Sequence, residues 1–98
     1  MSGSINIPVK GVWYKDLMKG SVKFGNGIRL EREPKNPHHK KAIAVYQDKL
    51  HLGYIPKKIA DGISKKELKE LQKMKITVAA ITYDRDTVRD IGIKIEEE

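Results

Sequence analysis

The stretch that decides the fold is Leu30-Glu-Arg-Glu-Pro-Lys-Asn-Pro-His-His-Lys-Lys-Ala-Ile-Ala-Val-Tyr46, followed by Leu52-Gly-Tyr-Ile-Pro-Lys-Lys-Ile-Ala60. Before it, Gly27 to Glu33 alternates apolar Ile28 and Leu30 with charged residues, the mark of a half-buried strand. Pro34 ends that strand, and Pro37 makes 34–41 a rigid polar loop. Ala42 to Gln47 resumes extended structure, with Ile43 and Val45 on one face. Asp48-Lys49 turns the chain, and Leu50 to Ile55 returns as the second arm of a hairpin. In that arm Leu50, Leu52 and Tyr54 are expected on one face, and His51, Gly53 and Ile55 on the other. Pro56 suits the first position of a helix.

Working outward, Ile5 to Tyr14 reads as a first strand with Ile7 and Val9 inward, and Pro8 marks it as an edge strand or a bulged one. Alternation then sends Trp13 and Tyr14 to opposite faces, so one ring of the pair points outward. Lys15 to Asn26 reads as a glycine-punctuated loop, with one helical turn open at Asp16-Leu17-Met18. After Pro56, Gly62 interrupts the helix and Ser64 restarts it, Ser64 and Glu67 forming a capping box. Leu68, Leu71 and Met74 give the restarted helix its apolar stripe. Ile76 to Tyr83 and Val88 to Ile95 are two more strands around the turn 84–87. The fold class is mainly β: about six strands in a small OB-like or SH3-like barrel, with a short interrupted helical segment between strands four and five. The chain reads as one domain over 1–98, with residues 95–98 a frayed tail.

The chain has 98 residues, of which 39% are hydrophobic, enough for one small core. It has no cysteine, so disulfides, thiolate metal sites and a cysteine nucleophile drop out. No apolar run approaches the ~20 residues of a membrane span, and no secretory signal pattern is present. The expected setting is therefore cytoplasmic and soluble. Twenty Lys and Arg against 13 Asp and Glu give +7, which favours a polyanionic partner. The excess is local. Lys10 to Lys41 holds nine basic residues against three acidic, and Lys57 to Lys75 seven against three. Trp13, Tyr14, His38 and Tyr54 place flat rings in or near these stretches, and single-strand binders combine a basic groove with aromatic platforms.

The two blocks also carry a family resemblance. Arg32, Glu33, Pro34, Asn36, Pro37, Ala42, Ile43 and Val45, then Gly53, Tyr54, Ile55 and Pro56, resemble the HIRAN domain in order and spacing. The resemblance implies an OB-like barrel with helical insertions. It also implies binding of single-stranded DNA at a free 3′ end, in DNA repair or at replication forks, with a helicase, ATPase or nuclease as partner. Carried over by position, Tyr14 is the base-stacking ring, with Trp13 before it where the family often has a basic residue. Lys57 opens the helix as a phosphate contact, and His38 takes a position that can be aromatic; from the residues themselves, Arg32 is expected as a further phosphate contact and Tyr54 as a further ring. The family's acidic residue for the 3′-hydroxyl falls on His39, whose neutral imidazole can accept that bond.

Other chemistry is not supported. Adjacent His38 and His39, with His51, lack the spacing of a metal site, and no metal or cofactor is expected. Asp84, Asp86 and Asp90 could hint at a nuclease, but the first two fall in a turn. No nucleophile–base arrangement or phosphate loop is present, so no enzymatic activity is expected. The competing reading is a protein-interaction module that binds an acidic partner through the same basic face, because barrels of this kind serve many ligands.

Overall fold

The computed structural model describes residues 3–25 and 27–97. Six strands form two antiparallel three-stranded sheets. The first contains β1 (Ser4–Val9), β6 (Thr87–Glu96) and β5 (Lys75–Asp84), in the order β1-β6-β5. The second runs in sequence order: β2 (Ile28–Arg32), β3 (Ile43–Gln47) and β4 (Leu50–Tyr54). β1 is an edge strand, and its Pro8 needs no ladder partner on the open side.

Single bridges close the barrel at its two seams. Lys10 exchanges backbone bonds of 2.7 and 2.9 Å with Tyr54, linking the end of β1 to β4. Gly25 pairs with Val78 of β5 beside a bulge. Between the sheets lie Val12, Leu30, Ile43, Val45, Leu52, Val88 and Ile93, all fully buried. Two short helices, α1 (Lys57–Asp61) and α2 (Lys65–Gln72), join β4 to β5. α2 has the predicted capping box between Ser64 and Glu67. Its Leu68 is buried, and Leu71 and the following Met74 pack on the core. Gln72 donates to the Leu30 carbonyl at 2.6 Å, covering a polar group on edge strand β2.

The structure departs from the sequence reading in four places. The first strand stops at Val9, because Gly11 adopts a left-handed conformation at φ 74° and Val12–Lys15 coil into a 3₁₀ turn. The helical turn left open at Asp16-Leu17-Met18 thus lies four residues earlier, and Leu17 is a core residue. Pro56 caps α1 from outside instead of occupying its first position. The tail is not frayed at Ile95 or Glu96: Ile95 is buried and pairs with Ile5 and Ile76. Glu98 lies outside the described residues.

The fourth departure is in β4. Val45 pairs with Gly53, but the next residue, Tyr46, pairs with His51, leaving Leu52 as an extra residue. A bulge of this kind re-aims the side chains beyond it. Leu52 and Ile55 therefore both enter the core, while His51 and Tyr54, three apart, share the outer face.

Candidate nucleic-acid interface

The site begins at Gly53. A Cβ at this position would lie 2.4 Å from the Lys10 carbonyl oxygen and 2.8 Å from the Val9 side chain. Only glycine lets the end of β1 cross β4 this closely. The crossing sets the 3₁₀ turn beside Tyr54, with Lys15 Nζ 5.6 Å from the centre of the Tyr54 ring. Trp13 and Tyr14 emerge from the turn 61% and 76% exposed, with ring centres 4.8 Å apart. A 3₁₀ turn has no strand alternation, so both rings point outward, where the sequence reading allowed one.

The double-proline loop supplies the facing wall. Asn36 organises it. Its Oδ1 accepts from the backbone N–H groups of His38 and His39, and its Nδ2 donates to Glu33. Glu33 Oε1 also accepts from the Tyr54 hydroxyl at 2.9 Å. Burial and this bond both raise the Tyr54 pKa, so the phenol stays a donor. Glu33, Pro34, Lys35, Asn36, Pro37, His38 and Tyr54 line an open cleft of about 570 Å³. Of the residues singled out in the sequence, Tyr54 and His38 thus meet in one cleft. The carboxylate in it is Glu33, which the sequence reading used only as part of a motif.

Arg32 and His39 have other duties. Arg32 donates to the carbonyls of Lys41 at 2.9 Å, Ala60 at 3.3 Å and Ile63. Its guanidinium ties the loop to the end of α1, a structural role in addition to the phosphate contact expected of it. His39 Nε2 lies 2.6 Å from Asp61 Oδ1, and this bond holds the Asp61 carboxyl below its usual pKa. An imidazole engaged in this way anchors the loop to α1. Lys57 is exposed at the start of α1, one turn before Asp61.

A larger hollow of about 830 Å³ lies between Trp13 and the β5–β6 turn. Its charged lining is Asp16, Asp84 and Asp90 against Arg85 and Arg89, a net of one negative charge. Trp13 therefore borders a different surface from the cleft. Among the described residues no group of three or more His, Cys, Asp or Glu could hold a metal ion. Among them, too, no helix is long and apolar enough to cross a membrane.

One feature of the outer face escaped the sequence reading. From Tyr54 a row of rings crosses the second sheet. The His51 ring meets Tyr54 edge-on at 5.0 Å and stacks on Tyr46 at 4.8 Å, and the Arg29 guanidinium covers Tyr46 at 4.9 Å. His51 donates through Nε2 to the Gly53 carbonyl at 3.0 Å. Burial, and then the nearby Lys15 charge, lower the His51 pKa, so the ring is neutral at pH 7. The signal was the spacing His-x-x-Tyr around Gly53, which fits one face only if the strand is bulged.

The fold has solved counterparts. The structure superposes on the HIRAN domain of human HLTF with a TM-score of 0.66 and 22% identity, covering 99% of this chain and 80% of that one. A protein from Lactobacillus plantarum matches with a TM-score of 0.54 and 17% identity over the whole of both chains. No curated protein matches the sequence. The family model of the HIRAN domain matches residues 2–96, nearly the full length. The chain belongs to the HIRAN domain family.

Proposed function

We propose that this protein is a non-catalytic module that binds single-stranded DNA near a free 3′ end, in DNA repair or replication-fork processing, where a helicase, ATPase or nuclease acts on the same strand. The observation that carries this reading is the position of Lys15 over Tyr54. It joins the turn bearing the exposed Tyr14 ring to the open cleft of about 570 Å³. Tyr14 stacks on a base, His38 offers a second ring at the cleft rim, and Lys15 and Lys57 neutralise phosphates. Glu33 takes the place expected of His39. Both of its recorded bonds fall on Oε1, leaving Oε2 to accept a terminal hydroxyl.

Fluorescence anisotropy with short oligonucleotides tests this. A 3′-phosphate would bring negative charge against Glu33, so 3′-hydroxyl ends are expected to bind tighter, and Glu33→Gln to reduce that preference. Equal affinity for both ends removes end recognition. Absence of binding at ~50 mM salt removes the nucleic-acid reading. With ~4 phosphates neutralised, log affinity falls against log salt with a slope near −3. Loss of binding on Tyr14→Ala separates stacked bases from bare charge, which alone would serve an acidic partner protein.

A further inference from the structure

We propose that the bound strand does not end its contacts at the cleft but continues over the outer face of β2, β3 and β4, where Tyr46 stacks an inner base and Arg29 takes its phosphate. The inference rests on the single-strand reading above and adds a second subsite to it.

The cleft and the outer face are continuous at Tyr54. Tyr54 belongs to both places: its hydroxyl is in the cleft and its ring begins the row Tyr54–His51–Tyr46–Arg29. A strand leaving the cleft past Tyr54 meets this row with no intervening element. The row has cations at both ends, Lys15 over Tyr54 and Arg29 over Tyr46. Three flat rings therefore lie between two cations, the combination that single-strand binders use for stacked bases and their phosphates.

In place of a base, the free protein holds only a weak contact on Tyr46. Arg29 is an exposed cation on an aromatic face, an interaction that shifts an equilibrium only about 2- to 5-fold. Its ion pair with Glu31 at 3.1 Å is equally exposed and adds little. A base stacked on an aromatic shifts the equilibrium roughly 5- to 150-fold. A base therefore displaces the guanidinium from Tyr46, and the released Arg29 is left one side chain away, beside the incoming phosphate. His51 is differently placed. Its ring is held by Tyr46 on one side, the Tyr54 edge on the other and a bond to Gly53, so it acts as a spacer that fixes the tilt of Tyr46.

The experiment compares dT3 and dT8, each labelled at the 5′ end so that the 3′-hydroxyl is free, by anisotropy on the whole chain. OB-type barrels cover roughly 4–16 nucleotides, so dT8 can fill the cleft and the whole row while dT3 falls below that range. The expected result is at least 10-fold tighter binding of dT8, with Tyr46→Leu and Arg29→Ala each removing most of that gain. Both variants keep the fold: the first retains bulk, and the second alters an exposed side chain. If dT3 and dT8 bind but their ratio is the same in the variants as in the natural sequence, the second subsite is overturned while the cleft reading stands. If neither oligonucleotide binds, the cleft reading fails and the extension fails with it.

Discussion

Two groups of aromatic side chains flank the crossing of β1 over β4, and they are built in opposite ways. Trp13 and Tyr14 stand on a 3₁₀ turn and are more than half exposed. Tyr46, His51 and Tyr54 are half-buried on a sheet, and every ring has a neighbour at about 5 Å. The free pair stabilises little in the folded chain, so its apolar surface is available to a ligand. The row has its ring faces covered already, and a ligand must displace a weak contact to use it. Openness and preorganisation are thus divided between two regions joined at one glycine.

Breaking that joint has the largest expected effect. Gly53→Ala forces a methyl group against the backbone carbonyl of Lys10, which cannot move without opening the seam between the sheets. Overpacking of this kind costs about 3 kcal/mol, and urea unfolding should register it. Gly92→Ala is the control, because its Cβ would meet Ala80 at an ordinary 3.4 Å and the change should stay below about 1 kcal/mol. A Gly53 variant as stable as the control would show that the close crossing is not what holds the two regions together.

Arg32→Ala comes next. Three carbonyls lose a charged donor, at a cost of about 2 kcal/mol in unfolding free energy, and lysine should not rescue it because one ammonium cannot span them. If Arg32 instead served phosphate, its loss would weaken DNA binding and leave stability unchanged.

Tyr14→Ala separates the two aromatic regions most directly. DNA affinity should fall by about 1–3 kcal/mol, while unfolding free energy stays within about 0.5 kcal/mol. Tyr54→Phe should do the reverse on a smaller scale. It removes the hydroxyl bond to Glu33 and costs about 1 kcal/mol of stability, seen in the same urea titration.

The sequence made the strand count, the helix break at Gly62 and the capping box legible, because each rests on local chemistry within a few residues. It also marked the double-proline loop and the Gly-Tyr-Ile-Pro turn. What stayed hidden depends on contacts between distant segments. Arg32 and Lys57 look alike as cations, yet Arg32 finds carbonyls 9, 28 and 31 residues away. His39 sits where a pocket acid was expected, but Asp61 folds back to claim it. Tyr46 and His51 join Tyr54 only because β4 carries an extra residue, and strict alternation places His51 on the wrong face. A glycine that seems to interrupt a strand is the one local sign that this alternation fails.

The finest test of the comparison is pH. Burial, then the Lys15 charge, lower the His51 pKa from 6.5, and the bonds to Gly53 and the Glu33 charge oppose them only in part. The unfolded chain therefore takes up a proton at His51 before the folded protein does. Stability rises with pH where the unfolded state binds more protons. The His51 contribution is complete above about pH 6.5, is lost as pH falls from there toward the folded value, and changes no further below it. Asp61 is depressed from 3.8, so its contribution is lost only at lower pH and does not overlap. Unfolding free energy of the natural sequence should thus fall more between pH 7.5 and pH 5 than that of His51→Gln. Lys15→Gln should shrink the difference, since it removes the cation that helps keep the ring neutral. Equal pH slopes for the natural sequence and His51→Gln would mean that the row does not shield its imidazole, and that the two aromatic regions differ in exposure without differing in electrostatics.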